Sequence, residues 1–171
     1  MNVVIETERL LLRTFTEHDA TLVYELNTEP DVTRYTHDPV KDIAHAKEIL
    51  EKTILPQYAL YNHGRWAVHL KPNHEFPGWC GLKYRSEVNE IDLGYRFKTK
   101  HGERELPTEA AYASIRYGFD KLELRRIVGR AEIDNIASWK VLEKCGMSYI
   151  GDEKLDGYPV KTYEIYHPSV R

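Results

Sequence analysis

The sequence predicts an α+β fold: a mixed, mostly antiparallel twisted sheet of about seven strands with flanking helices, in one domain spanning residues 1–171. Three observations predict it. Strand-like segments at 65–70, 79–84 and 90–97 follow one another across short turn-forming connections, Pro72-Asn73 and Pro77-Gly78 among them, as in an antiparallel meander. A helical segment, 107–122, lies between the strand patterns 90–97 and 125–133, which is a strand–helix–strand crossover. The order strand, two helices, strands, helix, strand, helix, strands mixes the two element types without alternating them. At ~100–200 residues per domain, the 171 residues make one domain, long enough to bury a core without disulfides or metal.

Each element has its own signal. Residues 9–14 form a short apolar run between charges and read as a strand. In 16–27, Thr16 or Asp19 can cap a helix whose apolar face carries Leu22, Val23 and Leu26. Residues 42–55 place Ile43, Ala46, Ile49, Leu50 and Ile54 at helical spacing, with Pro56 as the stop. In 90–97, Ile91, Leu93, Tyr95 and Phe97 alternate with Glu90, Asp92, Gly94 and Arg96. Pro107 suits the first helical position, and Ala111, Ile115, Phe119 and Leu122 form that helix's apolar stripe. Asn135 is a good N-cap for a helix whose inward residues are Val141, Leu142 and Cys145, and Gly146 ends it. Segments 147–151 and 160–166 close the chain as strands.

The net charge of -3 lacks the basic excess of a nucleic-acid binder. The longest run free of Asp, Glu, Lys and Arg, from Thr53 to Gly64, is shorter than the ~20 apolar residues of a membrane span. Glu6, Glu8 and Arg9 interrupt any apolar leader. A cytoplasmic protein without nucleic-acid or membrane partners is expected. Cys80 and Cys145 read as reduced, buried thiols. The eight His show no compact ligand spacing, so no metal is expected.

Three segments stand at a telling spacing: Glu-Ile-Asp-Leu-Gly-Tyr at 90–95, Pro-Thr-Glu-Ala-Ala at 107–111 running into Tyr-Gly-Phe at 117–119, and Asp-Asn-Ile-Ala-Ser-Trp-Lys-Val-Leu-Glu-Lys-Cys-Gly-Met at 134–147. With Thr-Glu-Arg-Leu-Leu-Leu-Arg at 7–13, the chain resembles the GNAT superfamily of acyl-CoA-dependent N-acetyltransferases over nearly its whole length, and most closely the ribosomal-protein-alanine N-acetyltransferase branch.

The resemblance implies acetyl-CoA as co-substrate, an amine acceptor (a protein N-terminus or a small molecule) and a monomer or homodimer. It implies that the strand ending at Phe97 splays from its parallel neighbour, so that the pantetheine arm pairs with the opened edge around Tyr95 and Phe97. The loop Gly102-Glu103-Arg104-Glu105-Leu106 and the helix start at Pro107 and Thr108 would then receive the diphosphate. Here the chain departs from the family's loop, because Glu103 and Glu105 stand at the usual glycine positions. At ~7 Å and an effective dielectric of ~40–80, each charge pair costs about 0.6–1.2 kcal/mol, which Arg104 can offset. The alternative is a non-catalytic binding or sensor module of the same fold whose loop no longer takes the cofactor.

For the chemistry, the resemblance places Asn135 on the pantetheine and the Ser138 hydroxyl beside the sulfur as general acid, although Asn135 also reads as a plain cap. Asp92 and Glu153 are the alternatives for the base that deprotonates the amine, and a surface charge is the other reading of each. Tyr35 and His37, in the loop between the first two helices, are the acceptor-contact candidates, or else solvent-facing. Trp66 and Trp79 read as core.

Overall fold

The computed structural model describes residues 1–102 and 105–170. Eight strands form one sheet in the order β1-β2-β3-β4-β5-β6-β8-β7. They are β1 Val3–Glu6, β2 Leu10–Arg13, β3 Arg65–Leu70, β4 Gly78–Arg85, β5 Glu90–Phe97, β6 Arg126–Glu132, β7 Ser148–Leu155 and β8 Tyr158–Tyr166. All neighbours are antiparallel except β5 and β6, which are joined by the crossover helix α6, Leu106–Asp120. The α+β class and the meander β3-β4-β5 are as expected, and the additional strand is β1.

Two cores lie on the two faces of the sheet. Helices α6 and α7 (Ile136–Lys144) cover one face, where Ala110, Ala111, Ile115, Phe119, Val141 and Leu142 pack on Trp66, Leu82, Leu93, Ile127 and Tyr163. On the other face, Phe15, Val23, Leu26, Ala46, Leu50 and Ile54 pack on Ala67 and Trp79. The elements supplying that layer are α1 Ala20–Asn27, α2 Pro30–Thr33, α3 Ile43–Ile49, a π-helical turn Leu50–Ile54 and α4 Leu55–Tyr61. A one-turn helix, α5 Thr99–Gly102, follows β5.

Pro56 does not stop the second helical segment. The helix widens into the π turn, and Pro56 falls in the first turn of α4. There its missing N–H and its ring are tolerated, and the chain stays helical to Tyr61. Pro107 sits one residue inside the first position of α6, which begins at Leu106. Asp19 precedes α1 without a side-chain cap, because its carboxylate accepts from Arg13 at 2.8 and 3.1 Å and from the Thr16 amide.

The functional consequence of the topology is at the parallel pair. β5 and β6 share only two rungs, Asp92 with Val128 and Leu93 with Gly129. Beyond them, Gly94–Phe97 keep their partners on β4 and Arg130–Glu132 keep theirs on β8, while the two strands part from each other.

Candidate active site

On the α6/α7 side of this opening, Tyr95 points up from β5 to the start of α7. Its hydroxyl donates to the Ser138 carbonyl at 2.6 Å, and Ser138 Oγ donates to the Tyr95 oxygen at 3.3 Å. Burial pushes the Tyr95 phenol far above its ordinary value, so it stays protonated. Two hydroxyls therefore meet at the first turn of α7, where the helix dipole favours developing negative charge. Asn135 is the N-cap residue, yet its side chain makes no capping bond, which leaves the amide available to a ligand. Phe97 ends β5 beside Gly78 and is half-buried.

A cleft of about 360 Å³ opens between the starts of α6 and α7, lined by Glu105, Pro107, Thr108, Ile136, Lys140 and Lys144. Glu105, the N-cap residue of α6, makes no side-chain capping bond. Leu106 is buried in the core, and Gly102 ends α5. Glu105 takes the left-handed conformation, φ = +61°, that suits glycine. Its carboxylate binds Lys144 at 2.9 and 3.1 Å, and that ammonium holds the carboxyl below its usual range. Glu103 and Arg104 lie outside the described residues. Two lysines and the start of α6 give this cleft a cationic lining, the character an anionic group requires.

The opposite face carries the charges. Asp92 is buried, and its Oδ2 lies 2.7 Å from Arg65 Nη2 and 3.3 Å from Arg85 Nη2. Arg65 reaches it by lying over Gly94, where a Cβ would come within 2.3 Å of Nη2. The partner expected two residues along the strand, Arg96, instead binds Asn27 and Asp38, each at 2.7 Å. Asp92 is thus buried between two guanidiniums, with Oδ2 shared by both. Glu153, on β7, accepts from Arg130 Nε at 2.9 Å, and this bond holds its carboxyl below the usual range. Arg130 and Arg126 also meet Glu90, at 3.0 and 3.1 Å.

Tyr35 is half-buried under the Arg34 guanidinium, 5.1 Å from its ring. His37 reaches the sheet. Its Nε2 lies 2.9 Å from Glu132 Oε2, and its ring stacks on Tyr158 with centroids 3.6 Å apart at 9°. No local pattern in the sequence singles out Glu132 or Tyr158. The Asp156-Gly157 pair, both residues at positive φ, signals the tight β7–β8 hairpin that presents Tyr158.

Both cysteines are buried, and burial pushes the thiols up, to about 12 for Cys80 and about 11 for Cys145. Neither is a thiolate nucleophile near neutrality. Among the described residues, no group of three or more His, Cys, Asp and Glu is placed to hold a metal. No described helix is long and apolar enough to cross a membrane.

A family model described as an acetyltransferase (GNAT) domain matches residues 9–148. The chain belongs to the GNAT acetyltransferase family. It is an acyl-CoA-dependent N-acetyltransferase, which acts by moving an acetyl group from acetyl-CoA to an amine. An uncharacterized N-acetyltransferase, p20 of Bacillus licheniformis, is 30% identical over 139 residues, covering 80% of this chain and 77% of its own. Among solved structures, a GNAT-family acetyltransferase of Bacillus anthracis superposes with a TM-score of 0.82 at 24% identity, over 95% of this chain and 98% of that one. The ribosomal-protein-S5-alanine acetyltransferase of Vibrio fischeri does so at 0.80 and 18%, over 98% of each chain. At these identities the two structures carry the fold alone.

Proposed function

We propose that this GNAT protein acetylates the amino terminus of a protein, by direct attack of the amine on bound acetyl-CoA in a ternary complex. The observation that carries the reading is the parting of β5 from β6 after two rungs, because it leaves one edge of Gly94–Phe97 free to pair with the amide-bearing pantetheine arm. In this reading the uncapped Asn135 amide meets the same arm, and the diphosphate lies in the cleft at Pro107 and Thr108. Ser138 then supplies the proton to the departing thiolate, with the Tyr95 hydroxyl beside it as the relay. A backbone N–H of the parted strand stabilises the oxyanion.

Glu153 is a carboxylate on the acceptor side, and its bond to Arg130 suits it to positioning charge better than to accepting a proton. The chemistry favours an N-terminal acceptor, since an α-amine needs less help to lose its proton than an alkyl amine. The test is thiol release from acetyl-CoA with an alanine-initiated peptide against spermidine. The peptide is expected to be the better acceptor, and Ser138→Ala is expected to lower kcat roughly 10²-fold or more. Preference for spermidine would reject the N-terminal acceptor, and an unchanged kcat would remove Ser138 from the acid role.

A further inference from the structure

We propose that His37 is the general base that deprotonates the acceptor amine, with Glu132 as the positioning residue that fixes its imidazole. The proposal rests on the acetyl-transfer reading and adds to it the identity of the base.

The placement comes from the parted strands. Glu132 lies three residues past the last shared rung on β6, and Arg96 lies three past it on β5. Both project to the face opposite Tyr95 and Ser138. The loop after α2 reaches both, Asp38 to Arg96 at 2.7 Å and His37 to Glu132 at 2.9 Å. It therefore spans the gap from the side an acceptor must use, since α6 and α7 occupy the other side.

The imidazole is held as a proton acceptor should be. The Glu132 carboxylate only accepts, so Nε2 donates to it, and in the neutral imidazole this leaves Nδ1 as the acceptor atom. The parallel stack on Tyr158 fixes the plane of the ring. His37 takes φ = +59° in the turn that follows α2, where its N–H donates to the Thr33 carbonyl at 2.8 Å and fixes where the side chain starts. Its side chain is still one-third exposed, open to a substrate and to water. Of the three carboxylates on β5 and β6, Glu90 and Asp92 each face two guanidiniums, and Glu132 faces this imidazole.

In the step, the ammonium gives a proton to His37 Nδ1 and the freed amine attacks the thioester carbonyl. The C–N bond forms, the C–S bond breaks, the thiolate takes the Ser138 hydroxyl proton, and the second proton shed by the attacking nitrogen as the amide forms restores that hydroxyl by way of Tyr95. The imidazolium returns its proton to solvent.

The wild-type protein is assayed for thiol release from acetyl-CoA with three primary-amine probes, an alanine-initiated hexapeptide, spermidine and benzylamine, and the best-used probe is carried into the variants. His37→Ala is expected to lower kcat about 10²–10⁴-fold, with KM for acetyl-CoA within about twofold of wild type, and added imidazole is expected to restore part of the rate. Glu132→Gln is expected to fall about 10–100-fold, with circular dichroism unchanged. A His37→Ala protein that turns over at the wild-type rate, or that loses rate without any recovery in imidazole, overturns the proposal and leaves acetyl transfer standing. Turnover of none of the probes by a wild-type protein that binds acetyl-CoA rejects both readings together.

Discussion

At the start of α6, a backbone at φ = +61° costs a residue with a Cβ roughly 1–2 kcal/mol, yet Glu105 holds it. The glycine-like shape survives without the glycine, and the carboxylate that comes with it is matched by Lys144. A diphosphate in the cleft competes for the same ammonium. Glu105→Gly is therefore expected to tighten CoA binding ~3–8-fold, the equivalent of removing one charge pair of about 0.6–1.2 kcal/mol. Calorimetric titration at low salt reads this directly, and a weaker or unchanged Kd would contradict it. Asp92 makes the opposite kind of residue. It neutralises Arg65, which is buried across β4 and β5, so Asp92→Ala leaves an uncompensated internal cation. A loss of about 3–5 kcal/mol in urea denaturation is expected, and a stability near wild type would return Asp92 to the list of candidate bases.

Elements differ in how openly the sequence declares them. The alternation in 90–97 and the cap-to-glycine frame of 135–146 fix β5 and α7 almost to the residue, because each pattern is local. Pro56 misleads because a π turn, which no residue pattern in 50–54 announces, lets the helix pass it. The base is harder still. His37 lies 95 residues from Glu132, and only the register of β6 and the loop after α2 brings them together. Asp92 reads as an exposed base because its partners sit on other strands, Arg65 on β3 and Arg85 on β4. The contact between α6 and the first hairpin is equally non-local. Glu109 accepts from the Thr7 hydroxyl at 2.6 Å and from the Arg9 amide and guanidinium at 3.0 and 2.7 Å. Burial opposes its ionisation, but these donors together hold its carboxyl below the usual range. A depressed folded value means stability that is present above the unfolded carboxyl value and is lost as pH falls through the folded one. Urea midpoints of wild type and Glu109→Gln are expected to differ at pH 7 and to converge as pH falls from the ordinary carboxyl range through the depressed folded value. A gap that is independent of pH would mean the carboxylate charge plays no part.

The whole molecule is arranged as a sheet open at one seam and dressed differently on its two faces. The α6/α7 side supplies hydroxyls, lysines and an uncapped helix start, which suits an anionic carrier. The other side supplies carboxylates, guanidiniums and the His37 imidazole, which suits a cationic amine. In the proposed reading the two reactants approach through the same gap from opposite faces, and no covalent enzyme intermediate is needed, in keeping with two cysteines that stay protonated. A crystal structure with acetyl-CoA tests this arrangement most directly. The account predicts pantetheine amides hydrogen-bonded to the free edge of Gly94–Phe97, with the thioester beside Ser138 and Tyr95 and facing His37 across the gap. Acetyl-CoA bound elsewhere, with β5 and β6 drawn together beyond the Leu93–Gly129 rung, would contradict it.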